Sequence, residues 1–233
     1  MLIRTVVAPL LSTNCYIVSD DVGRCVVVDP GAGVAGDVVA LVRGHGLVAL
    51  AVLATHGHVD HTWAAAELVD ELDAPLVLHA GDEYRIADPF GSLGPLGGPL
   101  AAMGESAGMV YRTPERIEPF DAGADGTDLD LGQGGSGGPP FVLRAVHAPG
   151  HTQGSTLYLL QGHEGRPTAL TGDVLFAGSI GRTDLPGGDD IAMAATLRRV
   201  AALDPATVVL PGHGPSSTIS SELLTNPYLR TAR

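Results

Sequence analysis

The chain has no lysine. All 13 of its basic side chains are arginines, set against 26 carboxylates, for a net charge of −13. Such a field speaks against a nucleic-acid partner, which needs a basic footprint. Most of the acidity reads as a solvated surface. Cysteine is scarce too: only Cys15 and Cys25 occur, each in an apolar strand-like run. Those runs, 14–19 and 24–29, flank an Asp20-Asp21-Val22-Gly23 turn and read as a hairpin. In that register the cysteines do not face one another, so two free buried thiols are expected, as in a reducing compartment. No uninterrupted apolar run reaches about 18 residues, so no membrane span is expected. The amino terminus offers one Arg4 and a short apolar stretch broken by Pro9, which is no signal peptide. The cytoplasm is the expected location. No Ser-x-x-Lys motif and no strand-turn-helix nucleophile elbow are found, and neither cysteine has a base beside it in sequence.

What is present is a 45% apolar chain of 233 residues, enough for one α/β domain over 1–233. After the hairpin, Val34–Arg43 reads as a helix closed by Gly44, and Val48–Ala54 as a buried strand. A helix is expected over 62–72 and a strand at Leu76–His79. Pro and Gly then recur with weak periodicity, so 85–120 reads as a lid-like excursion. The stretch 121–140, with Gly134-Gly135-Ser136-Gly137-Gly138, reads as a flexible surface loop. A phosphate-binding loop would need a Lys and a following helix. Strands follow at 141–146, 156–160 and 168–171, then an amphipathic helix at 191–203 and a strand at 207–210. Each half offers strands first and a crossover helix afterwards. Two such halves, packed sheet on sheet with helices outside, make a four-layer αββα sandwich.

Seven residues, Thr55-His56-Gly57-His58-Val59-Asp60-His61, hold three imidazoles and a carboxylate. They lie between a strand and a helix, at the strand end where α/β sheets place ligands. On an extended run, His56 and His58 point the same way and can grip one ion. Asp60 and His61 lie past the bend and aim at a second point. Three more strands end in Gly150-His151, Gly172-Asp173 and Gly212-His213. The set divides into His56, His58 and His151 for one ion, and Asp60, His61 and His213 for another, with Asp173 bridging. Nitrogen and oxygen donors in that number suit two divalent ions, Zn²⁺ first, with Fe or Mn compatible. His45, His79 and His163 read as structural, and His147 as structural or supporting.

The order His-x-His-x-Asp-His, Gly-His-Thr, Gly-Asp and Gly-His-Gly resembles the metallo-β-lactamase superfamily. Ala148–Ser155, Thr171–Phe176 and Gly178–Gly188 resemble its glyoxalase II (hydroxyacylglutathione hydrolase) branch. The resemblance implies a metallo-β-lactamase fold, and carries the metal-ligand role onto His56, His58, Asp60, His61, His151, Asp173 and His213. It implies hydrolysis of a small-molecule thioester of the S-lactoylglutathione type, with Asp60 both ligating and orienting the attacking hydroxide. Arg182 is the candidate substrate contact, in competition with a structural pairing to Asp184. The longer enzymes of that branch carry a basic helical extension for glutathione, whereas here only Arg230 and Arg233 follow residue 226, which opens the choice to other low-molecular-weight thiols. A mononuclear iron persulfide dioxygenase, which also shows Gly-Arg-Thr-Asp, is the alternative, and a non-catalytic metal-binding protein the third. The sequence is silent on oligomeric state.

Overall fold

The structure, a computed structural model, describes residues 1–132 and 140–232. Two six-stranded sheets face each other. The first holds β1 (Leu2–Val7), β2 (Asn14–Ser19), β3 (Arg24–Val28), β4 (Val48–Leu53), β5 (Leu76–His79) and β6 (Ile117–Phe120), in that spatial order. β1 to β3 are antiparallel neighbours and β3 to β6 are parallel. The second holds β7 (Thr127–Asp130), β8 (Val142–His147), β9 (Thr156–Gln161) and β10 (Pro167–Gly172). A small hairpin of β11 (Leu175–Phe176) and β12 (Ser179–Ile180) follows, and β13 (Val208–Pro211) and β14 (Ser217–Thr218) complete the sheet in the order β14-β13-β10-β9-β8-β7. Only β10 and β13 are parallel there.

Side-chain alternation builds the layers. In β2, Tyr16 and Val18 point at the other sheet while Cys15 and Ile17 point outward, and in β3 Val26 and Val28 oppose Cys25 and Val27 in the same way. The outward face is covered by α1 (Ala35–Gly44) through Val38 and Val42, and by α3 (Ala65–Leu72) through Leu68 and Val69. From the second sheet, Leu143, Ala145, Tyr158, Leu160 and Leu170 meet the inner face of the first. Leu157 and Val209 face outward onto α6 (Asp190–Val200), α7 (Ile219–Thr225) and α8 (Pro227–Thr231). Asp189 caps α6 by accepting from the Ile191 and Ala192 amides, which fixes the register that buries Met193, Leu197 and Val200. The result is the αββα sandwich. Strands buried on both faces explain why β2 to β5 read as nearly continuous apolar runs.

Three readings change. The helix expected over 62–72 is two, α2 (Val59–Thr62) and α3, divided at Trp63-Ala64, where the Ala64 amide bonds the Pro30 carbonyl. The excursion at 85–120 is largely ordered secondary structure: α4 (Glu83–Ala87) runs into it, α5 (Gly97–Ser106) follows, and it ends in β6, an edge strand of the first sheet. The loop at 121–140 contains β7, the edge of the second sheet. Both edge strands are half exposed and polar, Ile-Glu-Pro-Phe and Thr-Asp-Leu-Asp, so their sequences carry almost no alternation. The Gly-rich stretch at 134–138 lies outside the described residues. Across the ladder Cys25 opposes Ser19 and Cys15 opposes Val6, and both thiols are free and buried. Among the described residues no helix is long and apolar enough to cross a membrane.

Candidate metal centre

His58 is still extended (φ −67°, ψ 144°), and α2 begins at the next residue. His56 and His58 therefore share one side of the run, while Asp60 and His61 sit on the first helical turn. The loop after β8 brings His151, the end of β10 brings Asp173, and the residues after β13 bring His213. Among the described residues three sets of converging ligand atoms result: His56, His58 and His151; Asp60, His61 and His213; and His56 and His61 with Asp173 between. All seven residues singled out by sequence thus meet in one place.

In the first trio His56 Nε2 lies 3.0 Å from His58 Nδ1, and His151 Nε2 lies 3.2 and 2.9 Å from those atoms. In the second, His61 Nε2 is 3.3 Å from His213 Nε2, and Asp60 Oδ2 is 3.2 Å from His213 Nε2 and 3.5 Å from His61 Nε2. Asp173 Oδ1 lies 3.3 Å from His61 Nε2, and its Oδ2 lies 3.7 Å from both His151 and His213 Nε2. A tetrahedral ion with bonds of roughly 2.0–2.1 Å needs ligand atoms about 3.3 Å apart, so the cages have the right edge lengths. Asp173 Oδ1 is buried without a properly directed hydrogen bond, as a waiting ligand atom would be.

The charges agree. Burial, then the neighbouring imidazoles, push His56 well down, and burial with His151 takes His58 to about 3, so these two present neutral lone pairs. Burial opposes charging His61, but Asp60, Asp173 and Asp29 together carry it well above the ordinary imidazole value. Burial likewise opposes ionising Asp60, yet His61 and His213 hold its carboxyl well below the usual range, and Asp173 is lowered in the same way by His61. His213 is raised against burial by Asp60 and Asp173. A proton on the second trio thus supplies positive charge that a divalent ion would replace.

Supporting contacts fix the rings. His151 Nδ1 donates to the Arg182 carbonyl at 2.7 Å, leaving Nε2 to face its partners. His61 Nδ1 pairs with Asp29 at 3.0 Å, and Asp29 also accepts from the Thr55 amide and hydroxyl. A Cβ on Gly212 would stand 2.4 Å from Asp173 Oδ1 and 2.5 Å from His61 Cε1, so only glycine lets that strand end pass so close. The Arg182 guanidinium instead pairs with Asp184 at 2.7 and 2.8 Å, on the surface. His147 stacks on His79, centroids 4.2 Å apart, and donates to the Gln153 carbonyl at 2.7 Å. Sequence reading missed Asp29, Thr55, Asp82 and Arg85. Asp29 had a usable signal, a strand end followed by Pro30-Gly31; the buried Asp82 and Arg85 look like any helix-start charges.

The first trio is sealed, its side chains 1–3% exposed, whereas Asp60 and His213 are 19% and 28% exposed. The centre opens to solvent on the Asp60–His213 side.

Relatives share this chain along its length. It is 38% identical over 233 residues to an uncharacterized protein of Mycobacterium tuberculosis, Rv2581c, with 98% of each chain covered. It is 32% identical to the probable metallo-hydrolase YqgX of Bacillus subtilis, covering 97% of this chain and 96% of that one. The hydroxyacylglutathione hydrolase GloC of Haemophilus influenzae is 30% identical, covering 94% and 93%. Among solved structures, BLEG-1 B3 metallo-beta-lactamase superposes with a TM-score of 0.78 at 31% identity over 98% and 99% of the chains. The di-iron-bound form of TTHA1623 gives 0.74 at 32% over 97% and 99%. The model of the metallo-beta-lactamase superfamily matches residues 8–213, and the chain belongs to that superfamily.

Proposed function

We propose that this protein is a binuclear metallohydrolase that cleaves a hydroxyacyl thioester of a low-molecular-weight thiol, in the manner of glyoxalase II. The observation that carries the reading is the two ligand cages meeting at Asp173, one sealed and one open to solvent. The hydroxyacylglutathione hydrolase among the relatives supports the substrate class. His56, His58 and His151 would hold one divalent ion, and Asp60, His61 and His213 the other, with Asp173 shared. Bound there, two such ions supply polarisation of the carbonyl oxygen and an acidified water at neutral pH. Zinc suits the nitrogen-rich donor set, and the di-iron relative makes iron the second choice.

The chain's own residues do the rest. Asp60, partly exposed beside His213, would ligate and orient the attacking hydroxide. The departing thiolate, with a pKa of about 8.5 in solution, needs no strong acid. Arg182, half exposed and paired with Asp184, is the candidate contact for the polar thiol carrier.

The test couples metal analysis to turnover of a thioester panel, each acyl group offered on glutathione and on other thiols. We expect two ions per chain, hydrolysis without oxygen uptake, and a loss of about 10²–10⁴-fold in Asp60→Ala with its fold intact. One iron per chain with oxygen consumed on glutathione persulfide would replace this reading by a dioxygenase. Metal binding without turnover of any thioester would leave a non-catalytic role.

A further inference from the structure

Asp82 is fully buried and belongs to no ligand set, yet its single carboxylate holds both loops of the first trio. Oδ2 accepts from the Gly57 amide at 2.9 Å, the residue between His56 and His58, and from the Thr152 hydroxyl at 2.6 Å, the residue after His151. Oδ1 accepts from the Gly154 amide at 3.0 Å and from Arg85 Nε at 3.1 Å. Arg85, also fully buried, spreads its other donors over the Ser92 and Pro186 carbonyls and the Gln153 side chain. Pro186 belongs to the segment whose Arg182 carbonyl receives His151 Nδ1, so His151 is held from both sides.

The packing leaves no slack around this pair. A Cβ on Gly57 would meet the Asp82 carbonyl oxygen at 2.8 Å, one on Gly154 would meet the Asp82 carboxylate carbon at 2.7 Å, and one on Gly187 would meet Arg85 Nη2 at 2.3 Å. A buried ion pair of this kind gives little net stability, because desolvating both charges offsets their attraction. What it gives is geometry: two loops almost a hundred residues apart are set against one rigid carboxylate.

We infer that Asp82, braced by Arg85, is a positioning residue that sets the spacing of His56, His58 and His151 and with it the metal affinity of that trio. The inference rests on the reading that the trio holds a metal. Asp82→Asn keeps the size but turns one acceptor into a donor facing either the Gly57 or the Gly154 amide. Thr152→Val removes the hydroxyl's bond to Asp82 Oδ2, together with its bond to the Ser155 hydroxyl, while leaving the ion pair in place.

The experiment strips the full-length protein with a chelator and titrates Co²⁺ and Zn²⁺ against a competing chromophoric chelator, with His151→Ala as the site marker. The wild type should take up two ions, and His151→Ala should lose the first-trio component and its Co²⁺ absorption bands. Asp82→Asn should weaken that same component by about 10–100-fold and leave the second in place, and Thr152→Val should do so more mildly. A fall in metal-free thermal stability with both affinities unchanged would make Asp82 merely structural and overturn the inference. If Asp82→Asn does not fold, Thr152→Val decides alone: unchanged affinity overturns the inference. No change in metal uptake in His151→Ala would instead sink the underlying assignment of the trio.

Discussion

Burial lifts both cysteine thiols, Cys15 together with the field of Asp29, and Cys25 to about 12 with help from Asp20. In the unfolded chain a thiol ionises near 8.5. Above that pH the unfolded chain sheds protons that the folded one keeps. The stabilising contribution is therefore complete below about pH 8.5 and is lost as pH rises towards 12. Urea midpoints should decline between pH 8 and 10.5, and Cys25→Ala should flatten the decline; an identical slope would show that another group controls it. The same residue scale shows what a sequence discloses. Clustered imidazoles announce themselves because few other arrangements use them. Asp82 and Arg85 do not, because burial is a property of the surrounding fold and leaves no mark on an Asp-x-x-Arg spelling.

At the scale of elements, Trp63 packs edge-on against Phe90 and Tyr111 and is covered by α5. A Cβ on Gly104 of that helix would stand 2.3 Å from the indole ring. Alanine there would gain about 0.5–1 kcal/mol of helix preference, but forcing a buried indole aside costs about 1–3 kcal/mol. Gly104→Ala should therefore lower the thermal midpoint, whereas Gly98→Ala, with nothing within 4 Å of its Cβ, should leave it level or raise it. Equal effects from the two would show that the tryptophan yields. Strands buried on both faces were readable from their apolar runs. β6 and β7 were not, because an edge strand needs only one or two inward residues and fills the rest with polar ones.

Across the whole molecule, two tyrosines join the sheets reciprocally. Tyr158 of β9 donates to the Ala54 carbonyl just past β4, and Tyr16 of β2 donates to the Pro211 carbonyl at the end of β13. Each bond ends beside a ligand loop. Tyr158→Phe leaves a buried carbonyl without its donor and should cost about 1–3 kcal/mol in urea unfolding; a loss below about 0.5 kcal/mol would mean that this bond adds nothing to the joint. The sandwich itself followed from element order, since two strand-first halves must hide their inner faces on each other. The tyrosine bonds did not follow, because register between sheets is a tertiary fact.

The order in which the side chains occur along the chain has a consequence for biosynthesis. The imidazoles of the first trio are all present once residue 151 has been made, but the second trio waits for His213, near the end. At about 5–20 residues per second the ribosome takes roughly 3–12 s over that interval. Under the proposed assignment, the three imidazoles of the first trio are synthesised before the last ligand of the second, but the Arg182 carbonyl that orients His151 follows them, so the sealed position is not fixed until the chain has passed residue 182.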